Sequence, residues 1–179
     1  MSYDLGKFTA ECKSVFTADA GPAGREKVRL LLEKLLRDEA FVRKHCVDSP
    51  PGLHLLYEDP ELKFQVLAHV NEKPRESPPH DHGESWAIYG QATEHTDMTE
   101  WARTDDGSDP ARAKLKAMKS YRLKPGHAGI YQDGTIHSIN YPAKSCFVRV
   151  TGTNLDVIPR VKFDLDTGEI TQMGAQRAT

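Results

Sequence analysis

The sequence predicts a mainly β domain, a sandwich or small barrel, behind a helical N-terminal segment. Three observations lead there. Apolar residues recur at helical steps only in the first fifty residues. A break at Ser49-Pro50-Pro51-Gly52 ends that pattern. Beyond it, short stretches with strand character alternate with turn residues, as in all-β sandwiches and barrels.

The elements follow in order. Residues 4–16 are compatible with a short helix. From Arg25 to His45, the residues Val28, Leu31, Leu32, Leu35, Leu36 and Val42 fall on one stripe of a helix. Gly21-Pro22 supplies its start, because proline suits a first helical turn. Prolines 50 and 51 then remove donors and fix φ. Leu53–Tyr57 and Lys63–Val70 read as strands. In the second, Phe64, Val66, Ala68 and Val70 alternate with Gln65, Leu67 and His69, the period of a pleated ribbon. More strands are expected near 85–92, 115–123, 127–131, 145–152 and 156–165. Thr104–Pro110 is the longest polar loop, and Asp166-Thr167-Gly168-Glu169 has the composition of a hairpin turn.

The 179 residues suffice for one domain with a proper core. With 38% apolar and 28% charged residues the chain reads as soluble and globular. A net charge of -2, with acids and bases interspersed, gives no reason to expect a nucleic acid partner. No apolar run approaches the ~20 residues that cross a bilayer, and the N-terminus lacks the apolar centre of a signal peptide. Cys12, Cys46 and Cys146 are odd in number and far apart, which suits reduced thiols in a cytoplasm.

The strongest chemical signal is Pro78-Pro79-His80-Asp81-His82-Gly83. On a strand, residues two apart share a face, so both imidazoles would point to one side. Imidazole ligates Fe, Zn, Ni and Cu. A third ligand should come from a distant strand. His137 is the natural candidate, in Asp133-Gly134-Thr135-Ile136-His137, where a turn delivers it onto an apolar strand. Glu84 is a further potential ligand.

The two segments resemble the paired motifs of the cupins. The His-x-His pair and Gly90 match the first motif, and Gly126, Gly134 and His137 match the second. Trp86 or Ala87 stands where the first motif has glutamate, Gln132 replaces a proline, and Asn140 lies one residue early. Cupins without that glutamate resemble the thiol dioxygenases, the family of cysteine and mercaptopropionate dioxygenases. Lys63-Phe64-Gln65-Val66-Leu67 and the helical N-terminal region are similar too, over roughly residues 25–160. The resemblance implies a single domain, residues 1–179. Its helical segment would span 1–48, and a cupin double-stranded β-helix, a jelly-roll barrel, would span 53–179. It implies Fe2+ held by His80, His82 and His137, with Zn2+, Ni2+ and Mn2+ as alternatives. A small-molecule substrate and O2 would meet at the open metal positions, and a homodimer is compatible with it.

Several features of that family are absent. The position of its substrate-binding arginine holds His54, which could still meet a carboxylate when protonated. Ala87 occupies the position of a crosslinked cysteine. Phe147–Asn154 lacks the family's Ser-His-Tyr set, so either the substrate differs or another group, such as Tyr89, Tyr131 or Arg149, takes over. Arg149, on the apolar strand Cys146–Val150, needs an internal carboxylate or an anionic substrate. Tyr131 could serve as an acid or hydrogen-bond donor. Trp86 could line the pocket or fill the core. His69 and His95 belong to no motif and read as structural or exposed.

These readings predict an iron dioxygenase-like enzyme acting on a small thiol or a related chelating molecule, with a substrate different from or broader than cysteine itself. The alternatives are another metal-dependent cupin enzyme, a diketone-cleaving dioxygenase or an isomerase, and a non-catalytic metal or small-ligand binding protein.

Overall fold

The computed structural model describes residues 3–174. The outer limits of the expected segments, residues 1–2 and 175–179, lie outside the described residues.

Helix α1, Leu5–Ala18, starts where the Asp4 carboxylate accepts the Lys7 N–H at 2.9 Å. It buries Phe8, Cys12 and Phe16, which lie one turn apart. Helix α2, Pro22–Leu35, begins on its proline and buries Val28, Leu32 and Leu35. The continuous helix expected up to His45 is interrupted. Asp38 accepts the Phe41 N–H at 2.9 Å and caps a new short helix, α3, Glu39–Val42, which runs into a π-helical turn at Arg43–Val47. The aspartate satisfies a first-turn donor, so a restart is favoured there over continuation. The bend keeps Phe41 and Cys46 in the same core as Leu35.

The strands are β1 Gly52–Glu58, β2 Gln65–Val70, β3 Arg75–Glu76, β4 Ala87–Thr93, β5 Thr96–Arg103, β6 Leu115–Leu123, β7 Ala128–Tyr131, β8 Ile136–Tyr141, β9 Cys146–Thr151, β10 Arg160–Phe163 and β11 Ile170–Met173. One sheet has the order β1-β2-β9-β4-β7 and a second β3-β8-β5-β6, all antiparallel, with β10-β11 as a separate hairpin. From β4 onward the chain passes from one sheet to the other and back, the jelly-roll arrangement of a double-stranded β-helix. The fold is therefore mainly β with a helical N-terminal segment, as the sequence predicts. Strand β5 has no clear sequence pattern, because its inward face carries the polar Thr96 and Glu100 beside Met98. The strand expected over 156–165 shortens to β10. A 3-10 turn at Leu155–Val157, capped by Asn154, occupies its start.

The larger sheet buries both faces. Val66, Val148, Val150 and Ile88 face the helices with Phe8, Leu32 and Leu35. Each fully buried side chain of this size contributes roughly 1.5–3 kcal/mol. Gly90 shares that contact: a Cβ there would lie 2.6 Å from Leu36 and 2.7 Å from Leu32. The opposite face, with Ala87, Tyr89, Tyr131 and Phe147, meets Met98, Leu123 and Tyr141 inside the barrel. No helix among the described residues is long and apolar enough to cross a membrane.

Candidate metal centre

The His-x-His segment is extended rather than part of a regular strand. His80 pairs with His137 of β8 through reciprocal backbone hydrogen bonds, both 2.9 Å. On its other side Asp81 is stitched to β10. The Asp81 N–H donates to the Val161 carbonyl at 3.0 Å, and its Oδ1 accepts the Val161 N–H at 2.9 Å. The loop then turns at Gly83, where φ is 60° and a Cβ would lie 2.1 Å from the Pro159 carbonyl oxygen. Only glycine suits both demands. The Gly134 N–H donates to the Gly83 carbonyl at 3.1 Å, so the turns before His137 and after His82 are joined directly.

This clamping brings the three imidazoles together. One nitrogen of each of His80, His82 and His137 lies within 4.8 Å of the others. Ring centroids are 4.6 Å apart for His80–His137 and 4.8 Å for His82–His137. The His80 Nδ1 lies 3.0 Å from the Pro78 carbonyl, which can only accept; that leaves Nε2 free for a ligand. The His82 Nε2 is 3.2 Å from the Tyr89 hydroxyl. His137 is fully buried, and neither of its ring nitrogens has a hydrogen-bond partner. An unpaired buried polar group costs on the order of 1–3 kcal/mol; the Thr135 backbone bears on the ring, and the remaining nitrogen is open to a metal.

Burial, followed by the charge of His80, pushes the His137 pKa down to about 3. Burial and the neighbouring His137 and His80 push His82 lower still, and burial lowers His80. All three rings are thus held neutral, the form that binds a metal. Three neutral imidazoles fit a divalent transition ion and leave coordination positions open. Among the described residues no carboxylate joins the group, and Glu84 is exposed.

The other expected site residues are distributed unevenly. Arg149 lies on β9 on the inward face, cross-strand from Tyr89 and Leu67. Its charge bears on all three histidines. The Tyr131 ring packs on His137 at 4.4 Å, while its hydroxyl turns away to Tyr121 at 2.7 Å, and Tyr121 donates to Glu100 at 3.0 Å. Burial raises the Tyr131 pKa well above the usual phenol value. His54 sits on edge strand β1 opposite Ala68, its ring 2.7 Å from the Pro50 carbonyl; the structure does not bring it to the histidines. Trp86 is buried on the helical side, against Phe16, with the Arg25 guanidinium 5.5 Å from its ring. Two residues near the site escaped the sequence reading. His69 is on the inward face of β2, stacked on Phe147 at 4.5 Å. Arg160 opens β10 beside the His80–His82 segment. The period-two alternation of β2 already placed His69 with Leu67; Arg160 carried no signal.

A three-histidine candidate metal centre inside a jelly-roll barrel defines the class of protein. Neither a protein-family model nor a curated protein matches the chain. Among solved structures it is similar to KdgF from Halomonas sp., with 16% identity, a TM-score of 0.42, and 58% of this chain and 82% of that one covered. The cupin domain of Cnp3 from Schizosaccharomyces pombe gives 13% identity and a TM-score of 0.43, covering 59% of this chain and 63% of that one. The DMSP lyase DddQ from Ruegeria pomeroyi gives 12% identity and a TM-score of 0.40, covering 56% and 45%. The fold assignment rests on the strand order itself.

Proposed function

We propose that the protein is a mononuclear non-haem iron oxygenase of the jelly-roll class, acting with O2 on a small thiol or related chelating molecule. The observation that carries this reading is the group of three imidazoles, two buried and one half-buried, held neutral, with no carboxylate among them in the described residues. His80, His82 and His137 would hold the ion. When bound, Fe2+ supplies the electrons that triplet oxygen requires and the open positions at which two small molecules can meet. For a thiol the reaction adds both oxygen atoms of O2 to sulfur: RSH and O2 give RSO2H, with no other reductant.

The chain's own groups would orient the substrate. Arg149 offers a charged donor on the inward face, without a carboxylate within ion-pair distance among the described residues. The Tyr89 hydroxyl, released from His82 once that nitrogen ligates, can hold a proton at the substrate. Tyr131 fixes the plane of the His137 ring and is itself fixed by Tyr121 and Glu100. The three cysteines are free and buried, which suits a reducing cytoplasm.

The test is oxygen uptake by the iron-loaded protein across cysteine, mercaptopropionate, cysteamine and β-diketones. Uptake with one thiol, matched mole for mole by sulfinate, is expected. Uptake only with a diketone would replace the thiol reading, and no uptake with any of them would overturn the oxygenase assignment.

A further inference from the structure

Five buried side-chain nitrogens lack a hydrogen-bond partner among the described residues: Nδ1 and Nε2 of His137, Nε2 of His69, Nε of Arg149 and Nε of Arg160. One His137 nitrogen is explained by the metal, which an imidazole binds through a single nitrogen. The nitrogens of His69, Arg149 and Arg160 belong to strands that flank the metal ligands. Arg149 and His69 share the inward face of adjacent strands, with His69 stacked on Phe147, two residues before Arg149. Arg160 comes from β10, which is laced to the His80–His82 segment. The charges of both arginines bear on His80 and His82, and Arg149 bears on Arg160 itself.

Two guanidiniums from different strands therefore bear on the same metal ligands. A guanidinium stays charged at any physiological pH, so the repulsion is relieved by a counter-anion rather than by proton loss. The carboxylates that bear on the chamber are engaged elsewhere. Asp81 accepts from the Gly83 and Val161 N–H groups, Glu100 accepts from Tyr121, and Asp156 meets only one end of Arg160, at 3.2 Å, with 81% of its side chain exposed. Two donors in separate places call for two oxyanion groups. Asp81 and Glu100 are thus each already held at one oxygen, and the charges of two guanidiniums disfavour an added ammonium group.

We propose that Arg149, Arg160 and His69 form a subsite for a small dianionic acid, a dicarboxylate in its simplest form, and that it discriminates against amino acids. Arg149 and Arg160 each take one oxyanion. His69, kept neutral by burial and by the charge of Arg149, donates beside Arg149. The subsite names the substrate class of the proposed oxygenase and so rests on that reading, but its binding step can be measured without turnover.

Calorimetric titration of the zinc-loaded protein with succinate, butyrate and aspartate tests it. Butyrate lacks one carboxylate, and aspartate differs from succinate by an added ammonium. Succinate should bind at least about tenfold more tightly than either, the scale of one charge-assisted hydrogen bond. Arg160→Gln should reduce succinate to the butyrate level with bound zinc unchanged, and Arg160→Lys should retain part of the preference. Arg149→Gln should have the same effect as Arg160→Gln. Equal affinities for succinate and butyrate, equal affinities for succinate and aspartate, no succinate binding, or an Arg160→Gln variant with unaltered preference would each overturn the proposal. Failure of the metal reading appears separately, as a protein that takes up no zinc.

Discussion

Replacing His137 with leucine should raise the melting temperature of the metal-free protein and abolish its response to metal. His137 has no exposed surface, and both ring nitrogens are unpaired. Leaving such a group unsatisfied costs about 1–3 kcal/mol, and leucine, of similar volume, removes that cost without opening a cavity. For a chain of this size one kcal/mol corresponds to roughly 2–4 °C, so the metal-free variant should melt roughly 2–12 °C above the wild type. In the wild type, metal at a hundredfold excess over its dissociation constant adds about 2.7 kcal/mol, or roughly 5–11 °C. Scanning calorimetry of both proteins, stripped with chelator and then reloaded with Zn2+, measures all four temperatures. A metal-induced shift that survives in His137→Leu would refute the ligand assignment. A metal-free variant that melts below the wild type would refute the claim that the unpaired nitrogens strain the empty site.

Other consequences are as direct. The metal-free fold should lose stability as pH falls from 6.5 toward about 4.5. His69, His82 and His137 have folded pKa values below the unfolded value of 6.5, so the unfolded chain binds more protons throughout that window. Each such group costs about 1.4 kcal/mol per pH unit, and the lowered carboxylates, such as Asp105 at about 2, act only at lower pH; urea melts at pH 7 and pH 5 that give equal stabilities would contradict this. Gly83→Ala should cost more than about 2 kcal/mol, since it combines a positive φ with a clash on the Pro159 carbonyl, and it should weaken metal binding because that turn joins His82 to β10; undiminished zinc content in a folded variant would count against the clamp. Gly90→Ala should cost about 1–3 kcal/mol by overpacking against Leu32 and Leu36, yet leave zinc content intact, because that contact is on the helical side of the sheet.

How much of this was legible in the sequence depends on what each residue's pattern reports. The strands with apolar alternation, β2 and β9, could be read directly, as could the proline start of α2. β5 could not, because a strand whose inward face carries Thr96 and Glu100 has no hydrophobic period to detect. His80, His82 and His137 stood out because ligand residues cluster with turn glycines. Those glycines in turn have structural reasons visible only in three dimensions: Gly83 against Pro159, and Gly90 under α2. His54 is read from its position in the family resemblance and Trp86 from its aromatic type alone, and register decides where such side chains point. In β1, His54 pairs with Ala68, whose neighbour Leu67 is the one that faces Arg149. Arg160 lay beyond any sequence reading, because its role depends on a hairpin folding back across the His80–His82 segment.

The cationic and metal-binding halves of the chamber act on each other. Arg149 and Arg160 help to hold His82 neutral in the empty site, which favours ligation, but their charges repel the divalent ion that ligation brings in. A dianion between them removes that repulsion. Its binding should then tighten metal binding, and by linkage the metal should tighten anion binding by the same factor. Competition of the protein with a chelator, with and without saturating succinate, measures one side of this cycle, and succinate titration of zinc-loaded and metal-free protein measures the other. With opposite charges close together in a poorly solvated chamber, a coupling of roughly 1–3 kcal/mol is expected, about 5- to 150-fold. Succinate that leaves the zinc affinity unchanged would show that the two halves do not share one electrostatic environment. In that case the lowered pKa of His82 would have to come from burial and its histidine neighbours alone.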